Sequence, residues 1–192
     1  MGAYPALRRF TPEEYLKFER ASATKNEYID GQIFAMAGGT IDHARISMNV
    51  AGDLRVQLKG GPCEVLPADF RIGVSDRGPY FYPDLSVICG APELLDNSRD
   101  CALNPVVVFE VLSKSTRRYD RETKSALYRE IPTLRHIVLI SQSTVSVEHF
   151  FRQQLGTEWK TEKLTSRESS LVLPAIHAIL ALDGIYDRLF TE

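Results

Sequence analysis

The feature that most constrains the fold is an apolar run at residues 106–112, VVVFEVL, which carries a glutamate near its middle. β-Branched and aromatic residues fill this run, as they do in strands that are buried on both faces of a sheet. Glu110 is a residue type that is rarely buried without a partner, because removing water from an unpaired carboxylate is costly. Asp84 poses the same problem, since it follows Pro83 in an earlier apolar run. Each acid is therefore expected to be neutral, to pair with a cation or to bind a metal.

Length and composition predict one core-forming domain that covers residues 1–192. Hydrophobic residues make up 44% of the chain and charged residues 25%, which argues against disorder. The net charge of −2 gives no overall basic signal for nucleic acid. No signal peptide is expected before Thr11, and no apolar run is long enough to span a membrane.

The cysteines indicate a reducing compartment. Cys63, Cys89 and Cys101 are odd in number, and no two of them have the spacing of a metal site. Cys89 lies in an apolar run, as is typical of a small buried hydrophobe. We therefore expect reduced thiols and a cytoplasmic protein.

The order of the predicted elements indicates an α/β fold with a mixed sheet flanked by helices. The core order is helix, strand, strand, strand, helix, strand, preceded by an N-terminal helix and hairpin and followed by extra C-terminal strands and an apolar tail. In chain order, the elements are a helix from residue 11, a hairpin at 26–34, a helix at 40–58, strands at 64–74, 82–89 and 106–112, a helix ending before Pro132, and strands at 135–141, 145–151 and 158–164.

Several short motifs follow one another in a fixed order within residues 10–186. They are EYIDG at 27–31, His43, Pro83-Asp84, EVLS at 110–113, Ser115-Thr116, and Asp120 with Lys124 and Tyr128. This ordered set resembles the Uma-type putative restriction endonuclease family, within the PD-(D/E)XK nuclease superfamily, although no single motif is specific. One departure is Leu112, because the superfamily motif has lysine two residues after the strand acid. The resemblance is to members whose lysine has moved to the following helix, which points to Lys124.

This resemblance implies a restriction-endonuclease-like αβββαβ core and an endonuclease that uses Mg²⁺ or Mn²⁺ to hydrolyse phosphodiester bonds, most simply in DNA. Asp84 and Glu110 would hold the metal, which needs only one or two carboxylates beside water and phosphate oxygens. Lys124 would stabilise the developing charge. Glu27 and His43 are second-tier candidates. Cations outnumber acids in residues 114–129, which suits the backbone of a polyanion.

The same residues have simpler interpretations. Glu110 could form a structural ion pair with an arginine, and the stripe of Asp120, Lys124 and Tyr128 could be a solvated salt bridge beside a packing tyrosine. Lys114 is a rival for the role of Lys124.

Two other functions remain open at the level of sequence. One is a catalytically inactive nuclease-fold protein that serves interaction or dimerisation. Apolar residues of the tail could build a homodimer interface as readily as a core, namely Ile176, Ile179, Leu180 and Leu182. The other is a small-molecule phosphoesterase, for which we would expect a closed pocket rather than an open groove.

Overall fold

The computed structural model describes residues 8–36, 38–113 and 117–190. The first predicted helix is confirmed, and its start is a capping box between Thr11 and Glu14. Thr40 caps the second helix in the same way, by accepting a hydrogen bond from the His43 backbone. The helices are α1 (Pro12–Ala21), α2 (Ile41–Gln57), α3 (Arg117–Tyr119), α4 (Ser125–Tyr128) and α5 (Leu182–Ile185), with a π-helical segment at Asp120–Lys124 and a 3₁₀ turn at Pro174–Ile176.

Most of the strands form two sheets. The main sheet has six strands in the order β11-β10-β9-β8-β6-β3, and the second has five in the order β2-β1-β5-β4-β7. The strands are β1 (Asn26–Ile29), β2 (Gln32–Ala35), β3 (Cys63–Pro67), β4 (Arg71–Gly73), β5 (Tyr80–Phe81), β6 (Leu85–Cys89), β7 (Cys101–Ala102), β8 (Pro105–Leu112), β9 (His136–Ser141), β10 (Val147–Phe151), β11 (Lys160–Leu164), β12 (Ser170–Leu173) and β13 (Ala178–Ala181).

The main sheet contains the predicted αβββαβ core. In chain order this core is α2, β3, β6, β8, the helical residues 117–128 and β9. Strands β8 and β9 are parallel, whereas the other neighbours in this sheet are antiparallel, so the sheet is mixed as predicted. The hairpin at β1 and β2 is also confirmed, with Asp30 and Gly31 at positive φ in its turn.

One predicted strand is divided and another is shortened, because the chain crosses between the sheets at both places. The run at residues 64–74 is not one strand, since β3 ends at Pro67 and β4 begins at Arg71 in the second sheet. Between them, a turn closes with a hydrogen bond from the Phe70 amide to the Pro67 carbonyl. The strand predicted at 82–89 is shorter than expected, since β6 begins at Leu85, and residues 82–84, which include Pro83, link it to β5 in the second sheet. The predicted loop before Pro105 contains the short strand β7.

Each face of the main sheet is covered by its own core. On one face, α2 and the C-terminal elements bury a cluster that includes Val107, Phe109 and Val111 of β8. On the other face, Val108 and Leu112 pack with Phe81, Tyr128 and Ile131. Alternation along β8 therefore places Glu110 on the second face.

The tail belongs to the first of these cores. Ile176, Leu180 and Leu182 are buried, whereas Ile179 is 56% exposed. Strands β12 and β13 pair with each other as a small antiparallel sheet. Across the described parts of the chain, we find no helix both long and apolar enough to cross a bilayer.

A disulfide corrects the expectation that the thiols are reduced. Cys63 on β3 and Cys89 on β6 are directly paired across the two antiparallel strands, and their Sγ atoms are 2.04 Å apart. Cysteine spacing gave no hint of this bond, because it depends on the register of two strands that are distant in sequence. Cys101 is a buried free thiol.

Candidate active site

Four parts of the fold meet near the crossing between the two sheets and bring the predicted site residues together. Glu27 is on β1 of the second sheet, and Glu110 is on β8 of the main sheet. Asp84 lies on the link from β5 to β6, directly before the main-sheet strand. Lys124 ends the π-helical segment that follows β8. These residues come together because the chain crosses between the two sheets, which the sequence patterns did not predict.

Two hydrogen bonds fix Asp84, which lies directly before the first residue of β6. The pairing of Leu85 with Phe109 places it beside the last part of β8. The Val111 amide donates to Asp84 Oδ2 at 2.6 Å, and His43 Nε2 lies 3.1 Å from Oδ1. Each oxygen of the Asp84 carboxylate therefore has a partner, and the orientation of the group is fixed.

Lys124 bridges two buried glutamates. Its Nζ lies 2.8 Å from Glu27 Oε1 and 2.8 Å from Glu110 Oε1, and all three side chains are at most 7% exposed. The Tyr128 hydroxyl donates to Glu110 Oε1 at 2.6 Å, and the Tyr82 amide donates to Glu27 Oε1 at 3.3 Å. The cation that neighbours Glu110 is therefore this lysine, and not the arginine considered from sequence.

The residues that form a stripe in the sequence face inward. Asp120, Lys124 and Tyr128 are all buried, which contradicts the alternative of a solvated salt bridge. The Ser125 amide donates to the Asp120 carbonyl, five residues back, as in a π-helix. Such segments are frequent at functional sites, and nothing in the sequence pattern predicted this one. Lys114, the rival lysine, lies outside the described residues.

His43 joins the site from the first turn of α2. The hydrogen bond to Asp84 and the charges of Asp84 and Asp120 raise the pKa of His43, against the opposing effect of its partial burial. A side chain at Gly39 would bring its Cβ within 3.0 Å of His43 Nδ1, so a glycine allows the close approach of this loop to the imidazole. Both second-tier candidates, Glu27 and His43, are thus placed in the same cluster.

Negative charge is in excess at this site. Burial, reinforced by the carboxylates of Asp84, Asp120 and Glu27, raises the pKa of Glu110 to about 8, although Lys124 acts in the opposite direction. Burial alone would lower the pKa of Lys124, but Glu110, Glu27 and Asp120 raise it above its ordinary value, so this lysine stays charged. One lysine therefore does not neutralise the surrounding carboxylates.

The donor atoms at the site fit a hard divalent cation. No three His, Cys, Asp or Glu side chains of the described residues already form a metal cage. Mg²⁺ does not need one, since it is held by one or two carboxylates and completes its shell with water and phosphate oxygens. Asp84 and Glu110 would supply such oxygens. Burial is the main cause that raises the pKa of Glu110, but the carboxylates of Asp84, Asp120 and Glu27 add to it, and such a group of acids favours a cation beside Glu110.

Comparisons with known proteins agree with this picture. The sequence model of the Uma2 family, described as "Putative restriction endonuclease", matches residues 12–183. The uncharacterized protein sll1609 of Synechocystis sp. is 33% identical over 162 residues, covering 84% of this chain and 90% of that protein. The uncharacterized protein slr1290 of the same organism is 35% identical over 178 residues, covering 93% and 92%.

A solved structure has the same fold. The crystal structure of a putative nuclease belonging to DUF820 from Anabaena variabilis is similar to this chain with a TM-score of 0.75. The match covers 92% of this chain and 97% of that one, at 17% sequence identity. The predicted nuclease-like α/β fold is therefore confirmed.

Proposed function

This chain belongs to the Uma2 family of putative restriction endonucleases, and on that premise we propose that it is a metal-dependent endonuclease that hydrolyses phosphodiester bonds in DNA. The observation that carries the proposal is the buried bridge from Lys124 to Glu27 and Glu110, directly beside Asp84. A lysine whose charge is maintained among surplus carboxylates suits a reaction in which negative charge builds up on a phosphoryl group.

Each residue has a role in this proposal. Asp84 and Glu110 would hold Mg²⁺ or Mn²⁺, with the Val111 carbonyl as a further candidate ligand, and the bound ion would polarise the phosphate and activate water. Lys124 would stabilise the charge that develops on the phosphoryl oxygens. Glu27 keeps this lysine in position at 2.8 Å. Tyr128 fixes the orientation of Glu110 through its hydroxyl.

The choice of a nucleic acid as substrate rests on local charge. The whole protein is weakly acidic, but exposed arginines lie on the helical residues that lead to Lys124. Arg117 and Arg118 are exposed, and Arg121 is half exposed while it pairs with Glu148. Cations beside the scissile group favour a polyanion over a neutral substrate. A homodimer and a cytoplasmic location remain predictions.

One observation favours a second function. The carboxylates of the site already have partners within the protein. Asp84 accepts a hydrogen bond from the Val111 amide and contacts His43, and Lys124 forms ion pairs with Glu27 and Glu110. A nuclease-fold protein that had lost catalysis and served interaction would keep such a self-sufficient cluster.

A cleavage assay separates the two functions. Duplex and single-stranded DNA and RNA are incubated with the protein in Mg²⁺, in Mn²⁺ and in a chelator. We expect cleavage of DNA that requires the metal and is abolished by Glu110→Gln. Asp69→Asn is the matched control, because this carboxylate is 86% exposed and pairs only at the surface with Lys25. An intact protein that cleaves none of the substrates would favour the interaction protein.

A further inference from the structure

Tyr119 has a buried hydroxyl group that has no role in the proposed reaction so far. It ends α3, directly before the π-helical segment. The residue is only partly buried, but its hydroxyl oxygen is fully buried and has no hydrogen-bond partner. Leaving such a group unpaired destabilises a folded protein, so its presence needs a reason.

The local helix geometry turns this residue toward the candidate site. A π-helical turn takes up one residue more than an α-helical turn, so residues five apart approach the same side. Tyr119 and Lys124 are five apart across the segment Asp120–Lys124. In an ordinary α-helix they would lie on clearly different faces.

Electrostatics supports the same placement. Burial is the largest cause that raises the pKa of Tyr119, and the carboxylates of Glu27, Asp120 and Glu110 raise it further, whereas Lys124 lowers it. The phenol therefore lies within the field of the candidate site and keeps its proton. A protonated hydroxyl can donate a hydrogen bond.

We propose that the Tyr119 hydroxyl donates a hydrogen bond to a non-bridging phosphate oxygen of the substrate, which makes Tyr119 a catalytic residue. This inference rests on the proposed function. The glutamates already accept from Lys124 and Tyr128, so the substrate brings the acceptor that the hydroxyl lacks. Together with Lys124, the hydroxyl would form a pair of donors for an anionic tetrahedral group.

The substitution Tyr119→Phe tests this assignment, because it removes only the oxygen. The free energy of unfolding should stay the same or rise, since the hydroxyl has no partner to lose. The value of kcat/KM for DNA cleavage should fall on the order of 10²-fold, as expected for the loss of a preorganised donor. A structural role would produce the reverse, with lower stability and normal cleavage.

Tyr186→Phe is the matched control, since its hydroxyl donates to the Ser146 carbonyl at 2.9 Å and accepts from the Ser146 amide at 3.0 Å. This variant should lose stability and keep its cleavage rate. Normal cleavage by Tyr119→Phe would overturn the assignment while the nuclease function stands.

Binding of inorganic phosphate in the presence of Mn²⁺ separates the two proposals if the wild-type protein cleaves nothing. Calorimetry of the wild type and Tyr119→Phe is the measurement. About tenfold weaker binding by the variant would support Tyr119 as a phosphate donor even though the nuclease proposal had failed. Equal affinity would overturn the role of Tyr119.

Discussion

The main sheet holds two clusters of buried titratable side chains, one on each face, and they differ in the sign of their pKa shifts. Around Glu110, burial raises the pKa of the acid, and neighbouring carboxylates raise the pKa values of Glu110, Lys124 and His43. On the opposite face, His136 Nδ1 lies 2.9 Å from His149 Nε2, and His149 Nδ1 lies 2.7 Å from Glu162 Oε1. Burial there lowers the pKa of both histidines, to about 3 for His136.

Unbalanced charge, rather than burial alone, distinguishes the Glu110 site from the histidine pair. The two histidines are neutral and hydrogen-bond to each other, and His149 also bonds to Glu162. Among their four ring nitrogens, His136 Nε2 alone has no hydrogen-bond partner. The Glu110 cluster keeps charges in a low-dielectric environment and has more acids than cations. Burial is common to both, but only uncompensated charge creates a demand for a cation or an anionic substrate beside a lysine.

The largest effect should follow from removing the lysine. Lys124→Met keeps the length of the side chain but leaves Glu27 and Glu110 buried without their cation. We expect the cleavage rate to fall on the order of 10²-fold or more and the stability to fall by about 3–5 kcal/mol. Single-turnover kinetics and urea unfolding measure the two losses.

The double variant Lys124→Met/Glu110→Gln separates charge from packing. It should recover much of the stability, because less uncompensated charge stays buried, but it should not recover cleavage. Lys114→Ala should only weaken DNA binding in a salt-dependent way. An inactive Lys114→Ala beside a normally active Lys124→Ala would mean that the catalytic lysine has been misassigned.

A smaller effect is expected from pH on the opposite face. Because the folded-state pKa of His136 is near 3 and its ordinary value is 6.5, the unfolded chain binds more protons between these values. Stability should therefore fall as pH decreases through this window, by up to about 1.4 kcal/mol per pH unit for this one site. His136→Gln should flatten the dependence, whereas His177→Gln, at an exposed position, should not. Equal slopes in both variants would contradict the neutral, buried state of His136.

The smallest effect is expected at the surface end of the histidine pair. Glu162 is 42% exposed, so Glu162→Gln should change stability by less than about 1 kcal/mol. DNA cleavage should be unchanged. A loss of cleavage comparable to that of Glu110→Gln would show that the two faces are functionally linked, and the contrast between them would fail.

Much of the candidate site could be predicted because its residues violate local rules. A glutamate inside the apolar run VVVFEVL stands out as a buried acid wherever the strand lies in the fold. Asp84, between Pro83 and another apolar run, stands out almost as clearly. Lys124 was assigned through the family resemblance and not through its spacing alone. Its distances to Glu27 and Glu110 give that assignment a geometric basis.

The features that were missed depend on contacts between distant parts of the chain. The break at Pro67 moves the chain to another sheet, but the apolar alternation continues through it, so a single strand was the simpler prediction. The Cys63–Cys89 bond requires a register that no local pattern encodes. The sequence does not predict the π-helical turn either, because the spacing of Asp120, Lys124 and Tyr128 fits an α-helix equally well.

Calorimetric titration with Mn²⁺ measures whether the acids around Glu110 bind a divalent cation. The wild-type protein should bind the ion, whereas Asp84→Asn/Glu110→Gln should not. Far-ultraviolet circular dichroism should show the same fold in both, and without metal the variant should be at least as stable, because fewer buried like charges repel. Equal binding by the two proteins, or no binding by either, would show that Asp84 and Glu110 do not form a metal site.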